Sequence, residues 1–94
     1  MEENTLKLSK PLNGKQELVF DFDKITGHTL VKCTTLAKKD DPSMLVPSLS
    51  TAFQAHVAAA ATGLKYDDIL SLSAPDFVAV TLKVQGFLNG GAAE

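Results

Sequence analysis

The chain of 94 residues contains no arginine and no tryptophan, and it has one tyrosine and one cysteine. All nine basic residues are lysines, and the formal net charge is −2. Arginine is the residue best suited to bidentate recognition of phosphate and guanine, so its absence removes the usual basis of a nucleic-acid surface. We therefore expect no binding to DNA or RNA.

The single cysteine, Cys33, excludes an internal disulfide and any zinc site built from several cysteines. Small secreted domains are commonly held by disulfides, so one thiol favours the reducing cytoplasm. The first residues, Met-Glu-Glu-Asn-Thr, have neither the positive charge nor the apolar run of a signal peptide. No stretch approaches the roughly 20 apolar residues that span a bilayer. We expect a soluble, intracellular protein without membrane contact.

Length and composition predict one small globular domain. A hydrophobic fraction of 45% and a charged fraction of 21% are typical of a folded chain. We expect the domain over residues 5–89, with an N-terminal tail at 1–4 and a flexible C-terminal tail at 90–94. A core of this size gives a free energy of unfolding of only roughly a few kcal/mol. Self-association or binding to a partner would add to this stability.

Two strands are predicted at residues 5–9 and 17–22, because apolar and polar side chains alternate there. Between them the Asn13-Gly14 pair is the strongest short-range signal for a hairpin, since both residues tolerate positive φ. An isolated hairpin is marginal in water, so its leucine and phenylalanine face must pack against other elements.

Residues 26–39 are ambiguous, because their threonine and β-branched content would suit a strand. Thr26 as an N-cap, and Lys38 and Lys39 where a helix would end, favour a helix instead. The following residues, 40–47, contain two prolines and no clear period, so a loop is predicted there.

Three further helices are predicted in the second half. The first runs from an N-cap at Ser48 or Ser50 to a C-cap at Gly63, and the second covers residues 66–72. The last begins at residues 73–76, Ser-Ala-Pro-Asp, which combine a cap, an early proline and an acid. Strands first and helices afterwards give an α+β fold: an N-terminal β-hairpin followed by three to four α-helices, mainly helical.

The acidic residues do not form a recognisable metal or acid-base motif. A calcium loop starting at Asp21 needs an oxygen ligand, a glycine and a glutamate at positions five, six and twelve. The chain has Ile25, Thr26 and Lys32 there. The adjacent pairs, Asp40-Asp41 and Asp67-Asp68, would point about 100° apart on a helix, so neither is set for acid-base catalysis.

A cysteine-histidine nucleophile has no local support either. His28 and Cys33 are separated by about 500° of rotation on a helix, although pairing through the tertiary fold is left open. Cys33 is expected to fill the core, and His56 to sit at its boundary. The glycine motifs that bind phosphates and the G-x-S-x-G motif are missing. We expect no enzymatic activity, no cofactor and no metal.

Several short motifs follow one another in a distinctive order. They are LKLSKPLNGK at residues 6–15, LVFDFDKITG at residues 18–27, an alanine-rich helix, Gly63-Leu64, Asp67-Asp68-Ile69-Leu70, and Asp76-Phe77 opening the last helix. In this order the chain, from Thr5 to about Leu88, resembles a tail assembly chaperone of a long-tailed bacteriophage. It departs from the family pattern at residues 28–35, which carry little charge.

The resemblance implies a helix over residues 26–39 and a function in tail assembly. Such chaperones bind the long tape measure protein, keep it soluble before the tail tube polymerises, and are displaced from the finished particle. It implies a self-associating protein of the infected host's cytoplasm. The alternative is a structural tail protein, a tube or terminator subunit, that stays in the virion.

The last predicted helix has more large apolar residues than one core-facing stripe needs. We therefore take Val78, Leu82 and Leu88 as candidate contacts with a partner or a second copy. The alternative, that all three belong to the core, is left open.

Overall fold

A hairpin precedes four α-helices in the computed structural model, which describes residues 5–43 and 50–89. The elements are β1 (Thr5–Leu12), β2 (Lys15–Val19), a 3₁₀ turn (Phe22–Lys24), α1 (Gly27–Asp40), α2 (Thr51–Thr62), α3 (Tyr66–Leu70) and α4 (Ala74–Leu88). The predicted α+β class is confirmed. The predicted tails, 1–4 and 90–94, lie outside the described residues, as do 44–47 of the predicted loop and the alternative cap Ser48.

The hairpin turns at the predicted place. Asn13 and Gly14 have φ values of 52° and 81°, and they connect the paired residues Leu12 and Lys15. Two consecutive positive φ angles are those of a type I′ turn, whose twist matches that of the flanking strands. β2 ends three residues earlier than predicted, because Phe20 leaves the ladder and becomes part of the core.

β1 bulges away from β2 halfway along the hairpin. Between the pairs Lys7–Glu17 and Leu12–Lys15, β1 has four residues, 8–11, and β2 has one. One of the four is Pro11, which has no N–H to give to a ladder. The bulge leaves the backbone N–H groups of residues 9 and 10 available to another part of the chain.

Side-chain caps set the ends of α1 and α2. Thr26 accepts a hydrogen bond from the backbone N–H of Thr29, whose hydroxyl accepts one from the N–H of Thr26. At the start of α2 the Ser50 hydroxyl accepts a hydrogen bond from the backbone N–H of Phe53. The helix ends at Gly63, whose φ is 77°. The helix predicted over residues 26–39 and the caps predicted at Thr26, Ser50 and Gly63 are therefore confirmed. The side-chain cap predicted for the last helix is not formed, because Ser73 makes no cap hydrogen bond at the start of α4.

α2 is the central helix of the fold. It packs against α1, α3 and α4 and also touches the hairpin and the 3₁₀ turn. Seven of its twelve residues are buried, four of them alanines. Because alanine side chains are short, neighbouring helices can approach α2 from several sides, and a helix apolar all round is suited to this central position.

The largest fully buried side chains come from β2, the residue after it, α2, α3 and α4, namely Leu18, Phe20, Val57, Ile69, Val80 and Val84. Phe22 stacks on Phe87 with ring centroids 4.3 Å apart, which fastens the 3₁₀ turn to the end of α4. Within residues 5–43 and 50–89, no helix combines the length and the apolar character that crossing a bilayer requires.

Candidate functional site

The three predicted partner contacts fall into two groups on α4. Val78 and Leu82 are 53% and 59% exposed and are spaced four residues apart, so they share the outer face of the helix. Leu88 is partly buried and packs against the core. The core side of α4 is formed by Val80 and Val84, both fully buried.

A groove of about 510 Å³ lies between α1 and α2. Its lining residues are His28, Thr29, Lys32, Cys33, Leu36, His56, Ala59, Ala60, Leu64 and Tyr66. The groove thus collects the only cysteine, the only tyrosine and both histidines of the chain. Sequence patterns could not show this, because the four residues come from three helices.

The C-terminal end of α1 is joined to α2 and α3 by a cluster of Asp40, His56 and Tyr66. The His56 Nε2 lies 3.1 Å from Asp40 Oδ2, and the carboxylate can only accept, so this nitrogen donates. The His56 ring stacks on Tyr66 with centroids 3.7 Å apart and planes 5° from parallel. Three helices are therefore tied together by one carboxylate and one ring pair.

The Tyr66 hydroxyl also donates to Asp40. Burial raises the pKa of Tyr66 above its usual value near 10, and the negative charge of Asp40 and the hydrogen bond to it act in the same direction. Asp67 adds a smaller effect of the same sign. The phenol is thus held in its neutral form, in which its hydroxyl is a hydrogen-bond donor.

Cys33 lies at the floor of the groove and is 4% exposed. Burial raises the pKa of its thiol, and the ammonium of Lys32 opposes this only in part. Among the described residues, no hydrogen bond joins Cys33 to His28 or His56, although all three line the same groove. A protonated thiol without a base in contact is a poor nucleophile, and the predicted role as a core filler is the one that its burial favours.

The acidic pairs predicted to lack chemistry have structural partners. Asp40 belongs to the cluster above, and Asp68 accepts the N–H of Lys65 at the start of α3. Asp21, where a calcium loop would have begun, is tied to α2 through its backbone, because its N–H donates to the carbonyl of Ala61, 2.9 Å away. Over residues 5–43 and 50–89 no three histidine, cysteine or acidic side chains come close enough to hold a metal ion.

Asp76 has a role that the sequence did not indicate. Instead of capping its own helix, its carboxylate accepts the N–H groups of Ser9 and Lys10 in the β1 bulge, at 3.0 and 3.3 Å. The Ser9 hydroxyl donates to the same carboxylate at 3.1 Å. Asp76 is 5% exposed, and these bonds, above all the one from Ser9, lower its pKa although burial acts against them.

A scan against protein-family models, a search of curated proteins and a search of solved structures each gave no match to this chain. The similarity to tail assembly chaperones therefore rests on the motifs and their order alone.

Proposed function

We propose that this protein is a bacteriophage tail assembly chaperone. In this role it binds the tape measure protein and keeps it soluble in the cytoplasm of the infected host. It leaves when the tail tube polymerises, so it is missing from the mature virion. The ordered motifs between Thr5 and Leu88 support this assignment.

The observation that carries the proposal is the pair of exposed apolar residues on α4. Val78 and Leu82 lie one helical turn apart on a face that the core leaves uncovered. A long helical client offers apolar residues at the same spacing, and burying the exposed half of each of these two side chains would gain about 1 kcal/mol per residue. Self-association through the same face would protect it until a client arrives.

The test is co-expression with the long gene product encoded next to the chaperone. We expect the wild-type protein to keep this client soluble and to co-purify with it. The double variant Val78→Asp with Leu82→Asp should lose both effects, because two carboxylates would have to be desolvated in the contact. Val31→Asp, at an apolar residue of α1 that is 68% exposed, is the matched control and should behave as wild type.

Failure of the wild-type protein to co-purify with or solubilise the client would overturn the proposal. Mass spectrometry of purified particles distinguishes the structural alternative. A tube or terminator subunit would be present in the virion, whereas a chaperone should be missing.

A further inference from the structure

We propose that the groove between α1 and α2 binds an amphipathic helix that carries acidic side chains along one edge. The inference rests on the proposed function for the source of this helix, which would be a segment of the client. It concerns a surface separate from the exposed face of α4, since no residue of α4 lines the groove.

The shape of the groove suits a helix. It is open to solvent, and its apolar walls are formed by Leu36 of α1 and by Leu64 after α2. Ala59 and Ala60 form its α2 side, where their short side chains leave room for another backbone to approach. A helix that lays aliphatic anchors into an apolar groove is a recurring mode of peptide recognition.

The charge of the groove selects an acidic partner. The chain as a whole has a net charge of −2, yet none of the ten lining residues is acidic. His28 and Lys32 are exposed and lie one turn apart on the α1 edge. The carboxylate of Asp40, beside Tyr66, already accepts hydrogen bonds from His56 and Tyr66. The α1 edge therefore presents the ammonium of Lys32, with no acidic side chain among the lining residues.

The test uses two designed peptides of about 18 residues, or five helical turns. Both carry leucines at i, i+3, i+4 and i+7 and contain no aromatic residue, but one has glutamates along an edge and the other has lysines. Tyr66 is the only tyrosine of the protein and lines the groove, so its fluorescence reports binding there. We expect the glutamate peptide to bind and the lysine peptide to bind about twofold to fivefold more weakly, the size of effect that one exposed charge pair gives.

Variants separate the groove from the general charge of the protein. Lys32→Glu should weaken binding of the glutamate peptide about twofold to fivefold and strengthen binding of the lysine peptide. Lys24→Glu makes the same change in charge at an exposed residue outside the groove, and it should leave both affinities unchanged. Circular dichroism checks that each variant is folded, and Lys32→Gln replaces Lys32→Glu if the latter is not.

Raising the salt to about 1 M, where charges are screened beyond about 3 Å, should bring the affinities of the two peptides together. Equal binding of both peptides at low salt, no binding of either, or equal effects of the Lys32 and Lys24 variants would each overturn the proposal. Equally tight binding of a single-stranded oligonucleotide of the same charge would also overturn it, because the groove would then recognise charge alone.

The groove and the assembly function can fail separately. If the glutamate peptide binds the groove but co-expression does not keep the client soluble, the proposed helix site is supported and the proposed tail assembly function is wrong. If the client is kept soluble but Lys32→Glu changes neither its solubility nor peptide binding, the tail assembly function is supported and the proposed helix site is wrong.

Discussion

Ser9 donates its backbone N–H to both carboxylate oxygens of Asp76, each at 3.0 Å, although the two residues are 67 positions apart. The contact joins the β1 bulge to the first turn of α4. It supplies the acceptor that the bulge lost when β1 left the ladder, and it fixes the hairpin on the helices. A buried carboxylate whose partners are backbone N–H groups is a structural anchor.

Asp76→Asn should lower the stability of the protein, and the stability of the variant should depend less on pH in the acidic range. The carboxylate has a lowered pKa in the folded protein, so its contribution is present above the unfolded value near 4 and is lost as the pH falls through the folded pKa. We expect the variant to melt several degrees below wild type at neutral pH, and the difference to shrink below about pH 4.

Thermal unfolding at several pH values measures this. Asp23→Asn, at an exposed acid of the 3₁₀ turn, is the control and should leave the profile of the wild type unchanged. A constant difference between wild type and Asp76→Asn from pH 7 to pH 3 would show that the carboxylate charge is not what anchors the hairpin.

His56 should contribute to stability through its ring as well as through its hydrogen bond. His56→Ala removes the stack on Tyr66 and the bond to Asp40, and we expect it to lower the free energy of unfolding by about 1–2 kcal/mol. His56→Phe keeps the ring and loses only the bond to a half-exposed carboxylate, so it should cost less than about 1 kcal/mol. Urea unfolding gives both values, and equal losses in the two variants would rule out a contribution from the stack.

The alkaline limb of the stability profile should depend on Tyr66. Because its pKa is raised on folding, its contribution is complete below the unfolded value near 10 and falls as the pH rises through the folded pKa. Ultraviolet absorbance follows this single tyrosine directly, and Asp40→Asn should lower its pKa by removing the adjacent negative charge. If the titration curve of Asp40→Asn overlays that of the wild type, Asp40 does not influence the phenol.

Local signals predicted the backbone of this protein well. Asn13-Gly14 predicted the turn because few other pairs accept two positive φ angles, and Thr26 and Gly63 marked helix ends through their own side-chain or backbone chemistry. The bonds of Asp76 to the bulge could not be predicted, since the same Ser-Ala-Pro-Asp segment also fits an ordinary helix start. The spacing of residues along the chain predicts which side chains lie together on one helix or strand, but not which residues of different elements come into contact.

The groove between α1 and α2 is a second feature that local sequence patterns could not predict. Helical rotation separates His28 and Cys33 around α1, and the structure has one exposed at the rim and the other buried at the floor. What sequence reasoning missed is that α2 and α3 bring His56 and Tyr66 to the same groove. That arrangement depends on how closely the alanines of α2 let α1 approach, which is a property of packing and not of periodicity.

The Cys33 thiol should react slowly in the native protein. It is 4% exposed and its pKa is raised by burial, so both access and the thiolate fraction are low at neutral pH. We expect labelling by a disulfide reagent to be at least about tenfold slower than in the urea-unfolded chain. Cys33→Ala should fold normally, whereas Cys33→Ser buries a hydroxyl and should cost about 1–3 kcal/mol. Fast native labelling, at the rate of a free thiol, would mean instead that the groove opens to its floor and that the thiol is available for chemistry.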